Sequence, residues 1–324
     1  MSAKSPKSLR LPTDHVERLE RARLSLEGLA IGDAFGEMLA ADSGAVRRRV
    51  EGGLMGGPWF HTDDTEMALS IFETLQEHGR IDPSDLAFRF AERFRHDPDR
   101  GYGKMARHIL RQILAGEQWQ KAAADAFGGS GSMGNGGAMR VAPLGAYYAD
   151  ELDGALRPEA VLSAAITHAH PEGKAGAVAV AVAAAMAWIL RGQPRDEAAR
   201  QLLETVHAHT PDGRTRAGLA LALELPFTTS AQGAAHVLGS GFEVTAPDTV
   251  PFTIWSAAKH LDNYREAMIE TLLGDGDCDT NCAIVGGIVV LHAGRESIPH
   301  DWRAAREPFD FERRSIARGL EDPI

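Results

Sequence analysis

Two short acidic clusters at opposite ends of the 324-residue chain carry the residue types best suited to chemistry: Thr62-Asp63-Asp64-Thr65 and Asp277-Cys278-Asp279-Thr280. Each sets two carboxylates and a threonine hydroxyl within about one helical turn, and together they offer hard oxygen donors. No histidine or thiolate has to join them, although Cys278 lies between two of the aspartates. Oxygen-only sets suit Mg²⁺, Mn²⁺ or Ca²⁺ and suit zinc poorly. Four carboxylates brought into one site repel one another unless cations neutralise them, so two closely spaced divalent metals are the natural reading. A plainer one stands beside it. Thr62 precedes an apolar helical pattern (Met67, Ile71, Phe72, Leu75), and a threonine N-cap followed by aspartates suits a helix start without any metal. The excess of oxygen side chains, found twice, favours the metal.

Composition sets the frame. A hydrophobic content of 44% and a charged content of 24% belong to a soluble globular protein. A net charge of -11 and a pI near 5.6 argue against nonspecific nucleic-acid binding. Cys278 and Cys282, four apart, form no disulfide framework and suit a reducing, cytoplasmic setting. The first fourteen residues are polar and lack the apolar core of a signal peptide; they read as a flexible tail ahead of one domain over 15–324. The alanine-rich stretch 175–190 falls short of the roughly 20 residues of a membrane span and reads as a buried central helix.

Helical periodicity recurs nearly everywhere, and the expected fold is all-α, a compact multi-helix globule without repeats. Helices are expected over 16–39 (interrupted by Gly28, Gly32 and Gly36), 65–78, 83–94, 104–114, 139–151, 158–169, 172–191, 194–209, 214–225, 231–238, 253–260, 264–273 and 281–292. The glycine-rich run 128–137 leads directly into the apolar stretch beginning at Ala138-Met139, which reads as a turn opening a helix, a form that can hold an anion. It is not a P-loop, because no Gly-Lys-Ser/Thr follows.

Five segments together resemble the ADP-ribosylglycohydrolases: Gly28-Leu29-Ala30-Ile31-Gly32-Asp33-Ala34-Phe35-Gly36, the Thr-Asp-Asp-Thr cluster, Gly134-Asn135-Gly136-Gly137-Ala138-Met139-Arg140, Thr167-His168 and Gly276-Asp277-Cys278-Asp279-Thr280. They occur in the family's order across roughly residues 24–294. The resemblance implies an orthogonal all-helical bundle with a binuclear Mg²⁺ or Mn²⁺ centre held by Thr62, Asp63, Asp64, Asp277, Asp279 and Thr280. It implies hydrolysis of the bond between an ADP-ribose C1″ and an acceptor such as serine, arginine or another ADP-ribose unit. Ser132, Met133, Gly134, Asn135 and Gly136 would then bind the diphosphate, and His168 would lie near the adenosine end. At the close of its helix, His168 could equally bond orphan carbonyls.

The chain also departs from the family. Many relatives carry a glutamate where this chain has Ala40, and Glu37, about one helical turn earlier, is the candidate acid-base group in its place. Gly101, Tyr102 and Gly103 look more like the serine-specific branch than the arginine-specific one. A catalytically silent ADP-ribose-binding module and a binuclear phosphohydrolase are the competing readings, the latter because two-metal sites also drive phosphoryl transfer.

Overall fold

The computed structural model describes residues 11–312, and among these the chain is helical with no strand; two isolated β-bridges, Trp59 to Arg306 and Gly134 to Thr245, tie loops together. The expectation of an all-α fold holds. One continuous apolar core runs from Ala22 to Phe309. The expected tail falls mainly on residues 1–10, outside the described residues. Pro12 lies beside Gly79, where an added Cβ would come within 2.9 Å of its ring.

Two helices at opposite ends of the sequence form the axis of the fold. The first, His15–Leu39, is unbroken through Gly28, Gly32 and Gly36. It packs along the last long helix, Cys278–Ala293. The reason lies in the glycines. A Cβ at 28, 32 or 36 would stand 2.5, 2.1 and 2.4 Å from the backbone oxygens of Gly286, Cys282 and Cys278. Their spacing of four puts all three on one face, so the two backbones approach more closely than any side chain permits. Ser25 Oγ and Tyr264 Oη secure the contact by donating to the carbonyls of Gly287 (2.7 Å) and Gly28 (2.6 Å). This crossing brings Asp33 and residues 277–280 to one end of the molecule.

The helix Asp63–His78 starts at Thr62, whose hydroxyl accepts from the amide of Asp64, and stops at Gly79 with φ 65°. The alanine helix, Pro171–Ile189, runs through the core; it is long and apolar enough to cross a membrane by length and composition, contrary to the sequence expectation. With 83% of its apolar window buried against neighbouring helices, it is a core helix here.

Several boundaries differ from expectation. No helix begins at Met139: the glycine run enters a 3₁₀ turn at Asn135–Gly137, and the next helix is Ala142–Tyr147, started by Pro143 near its first position. The stretch expected at 253–260 is Ala246–Lys259, with Pro251 inside it, and that expected at 158–169 is Leu156–Ala165. Helices Val46–Glu51, Trp119–Gly129 and His300–Ala305 were not anticipated. Trp119–Gly129 is disguised by non-helical backbone at Ala126, Phe127 and Gly128.

Candidate functional site

Asp33 organises the site, and its role was not anticipated. Fully buried, it accepts from the amide of Thr62 (3.0 Å), Thr62 Oγ1 (2.9 Å), the amide of Thr65 (3.1 Å) and Thr65 Oγ1 (2.6 Å). The Gly32-Asp33-Ala34 signature held the signal: a carboxylate set between glycines that pack against another backbone stands in a crowded part of the helix. From the other side, the amide of Asp63 donates to the carbonyl of Arg100 at 2.6 Å. Arg100 is itself gripped by buried Glu307 through two bonds of 2.7 and 3.0 Å. A Cβ at Gly101 (φ 88°) would lie 3.4 Å from Asp63 Oδ1, so glycine lets this loop run against the acidic cluster.

The second cluster is held as firmly. The Asp277 amide donates to the carbonyl of Ser240 (3.0 Å), and Asn135 Nδ2 donates to Asp277 Oδ2 at 2.6 Å. Asn135 therefore serves the acidic cluster through its side chain, while its amide donates to the carbonyl of Val244 (3.2 Å). The amide of Gly134 is likewise engaged, by Ser132 Oγ at 3.1 Å. These two amides are not the free anion donors expected of the turn.

Both clusters open on one cavity of about 760 Å³, large enough for a nucleotide-sized ligand. Asp63, Asp64, Asp277, Asp279 and Thr280 line it together with Gly101, Gly103, residues 132–136 and His168. Arg140, Lys104 and Phe127 join them. Phe127 is exposed, with φ 52°, and no periodicity marked it. Three expected residues are off the wall. Thr62 stands behind Asp64, and Tyr102 is buried against Phe94, ring centroids 5.1 Å apart, which corrects its placement as a substrate contact. Glu37 is exposed on the first helix. Its carboxyl is raised by partial burial and then by the charge of Asp279, which places it electrostatically beside the cluster. The first helix ends at Leu39 and Ala40 opens a 3₁₀ turn, so the helical register proposed between 37 and 40 does not extend to Ala40.

The carboxylates crowd one another. Burial, followed by the charge of Asp279, raises Asp63 and Asp64 well above the usual range; the same pair of causes takes Asp277 to about 7. Burial also takes Asp33 to about 6, partly opposed by His61. Asp64 Oδ1 is sealed from solvent without a hydrogen-bond partner. Thr62 Oγ1 has one proton but faces two carboxylates, Asp33 at 2.9 Å and Asp64 at 3.0 Å. An orphaned buried oxygen, surplus acceptors and mutual repulsion are the marks of a donor set made for cations. The residues fit divalent metals. A tighter triad of possible ligand atoms, Glu77, His78 and Asp85, lies at the far end of helix Asp63–His78, about 22 Å along its axis. Arg89 already neutralises that triad through Asp85 (2.6 Å) and Glu77 (2.5 Å).

Comparison with known proteins identifies the family. A family model described as ADP-ribosylglycohydrolase matches residues 14–322. The chain belongs to the ADP-ribosylglycohydrolase family. It is 30% identical to the ADP-ribosylhydrolase ARH3 of Gallus gallus, over 81% of this chain and 77% of that protein. It is 28% identical to ARH3 of Homo sapiens over 90% of each, and 28% identical to the ADP-ribosylarginine hydrolase Tri1 of Serratia proteamaculans over 88% of this chain and 75% of that one. A solved structure described as an ADP-ribosylglycohydrolase-related protein complex shares the fold at a TM-score of 0.61 and 24% identity, covering 90% of this chain and 94% of that one.

Proposed function

We propose that this protein is a metal-dependent hydrolase of the glycosidic bond between ADP-ribose and an acceptor. One observation carries the reading: both acidic clusters, the 132–136 turn and His168 line a single nucleotide-sized cavity. Thr62, Asp63, Asp64, Asp277, Asp279 and Thr280 would hold two divalent cations, Mg²⁺ or Mn²⁺. Bound there, such ions orient ribose hydroxyls and lower the pKa of water. Asn135 holds the Asp277 carboxylate, and Asp33 holds Thr62 and Thr65 at the start of their helix; partners that orient ligands in this way set metal affinity. The turn takes the diphosphate, and because the His168 ring lies against Gly134 and Gly136 we place it on that side too, rather than near the adenosine end that the resemblance implied. Glu37, whose carboxyl is raised by partial burial and then by the charge of Asp279, is the candidate to pass a proton at the acceptor oxygen.

Lys104 lies on the wall next to Gly101 and Gly103. A cation there disfavours a guanidinium acceptor, so an O-linked conjugate such as ADP-ribosyl-serine is the better fit. The test is a panel of serine-, arginine- and polymer-linked ADP-ribose with chelator, Mg²⁺ or Mn²⁺. Metal-dependent release of ADP-ribose, fastest from serine, is the expected result. Release of phosphate or AMP would identify a phosphohydrolase, and binding without turnover a silent ADP-ribose-binding module.

A further inference from the structure

Arg140 is a fully buried cation that forms no salt bridge among the described residues. Its guanidinium stands over the Phe90 ring, 4.3 Å from the centroid, and its Nε has no hydrogen-bond partner. Nη2 donates to the carbonyl of Ser163 and to Thr167 Oγ1, both at 3.0 Å. Thr167 Oγ1 in turn lies 2.7 Å from Nδ1 of His168. A guanidinium can only donate, so the threonine oxygen accepts there. The hydroxyl has one proton, and Nδ1 is the acceptor within its reach. That proton therefore points at Nδ1, and the imidazole carries its own on Nε2.

We propose that Arg140 and Thr167 are positioning residues that fix His168 as the Nε2–H tautomer, a neutral hydrogen-bond donor presented at the glycine turn to an anionic oxygen of the ligand. The ring edge is placed for this. A Cβ at Gly134 or Gly136 would come within 3.1 Å of Nε2, so glycine at both positions lets the Nε2 edge of the imidazole approach the turn where it lines the cavity. The amides of Gly134 and Asn135 are spent internally, which makes a donor from His168 the more necessary. Burial, and then the charge of Arg140, push the imidazole down to about 3, so the ring stays neutral while Arg140 supplies positive potential from behind. A neutral donor in front of a fixed cation favours an anion without a second charge to desolvate. The tautomer assignment stands independently of the proposed function; only the identity of the anion, the diphosphate of ADP-ribose, rests on it.

The test is long-range ¹H–¹⁵N correlation on histidine-labelled protein, with His168→Gln assigning the signal among the 13 histidines. The wild type and Thr167→Ser should show an unprotonated Nδ1 and a protonated Nε2. Thr167→Val, which keeps the shape and removes the hydroxyl, should show mixed tautomers and about tenfold or greater loss of ADP-ribose affinity, the scale of a hydrogen bond to a charged group, at unchanged Mn²⁺ affinity. An Nδ1–H signal in the wild type overturns the proposal, and this reading does not depend on whether the valine variant folds. Unchanged spectrum and affinity in Thr167→Val overturn it too. If ADP-ribose does not bind the wild type while Nε2–H is observed, the relay is supported and the ligand assignment is overturned.

Discussion

Replacing Asp33 with asparagine isolates what the organising carboxylate does, because it removes a charge and one acceptor while keeping the shape. Asp33 receives four donors, two from Thr62 and two from Thr65. Asparagine offers one carbonyl oxygen. With its amide nitrogen in the Oδ2 place the Thr65 amide loses its acceptor, and an orphaned buried donor costs about 1–3 kcal/mol. In the Oδ1 place the Thr62 amide, which reaches both oxygens (3.1 and 3.0 Å), keeps one acceptor, so the loss falls on the Thr62 hydroxyl and on the alignment of Thr62. In the metal-free protein this loss is offset, since one of five crowded carboxylates disappears; the net change in chelator should be within about 1 kcal/mol. With ions bound the repulsion is already neutralised and the offset vanishes. The cost then falls on metal binding, as Thr62 and the start of its helix lose their alignment. Outer-shell partners are worth about 10–100-fold in affinity, or about 1.4–2.7 kcal/mol. Calorimetric Mn²⁺ titration of both proteins, with thermal scans in chelator, measures the two quantities. Wild-type Mn²⁺ affinity in Asp33→Asn would refute the organising role, and complete loss of binding with unaltered metal-free stability would make Asp33 itself a ligand.

Asp277→Asn should abolish metal-dependent turnover while leaving the helical fold intact by circular dichroism, and full activity would remove Asp277 from the centre. Glu37→Gln should lower turnover about 10²-fold with ADP-ribose affinity kept; a wild-type rate would make Glu37 a helix-surface carboxylate. Without metal, Asp33 and Asp277 hold protons up to about pH 6 and about pH 7, so the folded form binds more protons than the unfolded one above about pH 4 and loses stability as pH rises through that window. His168, held neutral down to about 3, acts in the opposite sense up to about pH 6.5, and that effect cancels when scans with and without Mn²⁺ are compared. The rise in Tm produced by Mn²⁺ should therefore shrink from about pH 8 to about pH 5.5, because protons compete for the same oxygens; a constant rise would refute the ligand set. Glu307→Ala should destabilise the protein by about 1–2 kcal/mol, since it removes one of the two carboxylates on the Arg100 guanidinium while Asp97 stays at 2.8 Å, measured by urea unfolding; a change below about 0.5 kcal/mol would show that the pair holds nothing.

What could be read from the sequence divides by the kind of information each residue carries. The acidic clusters were legible because they declare their chemistry by type: oxygen donors in excess of what a cap needs. The packing that unites them was present but misread, since Gly28, Gly32 and Gly36 look like interruptions when helix propensity is the only scale. Their interval of four is the better signal. It marks one face, and a face of glycines on a long helix means another backbone lies against it. Asp33 shares that helix and that packed surroundings, so a buried carboxylate at the meeting point follows once the interval is recognised. The 132–136 turn was legible as a close approach but not as to what approaches: the partner at Gly134 and Gly136 includes the His168 ring, some thirty residues on. Arg140 and Glu307 show where sequence reading ends. Arg140 sits in an apolar stretch with no acidic neighbour nearby in sequence, and Glu307 reaches Arg100 across 207 positions. Neither partner follows from local spacing. A buried cation can be suspected from its surroundings, but whether it completes an ion pair or sets a histidine proton depends on which acceptor the fold brings to it.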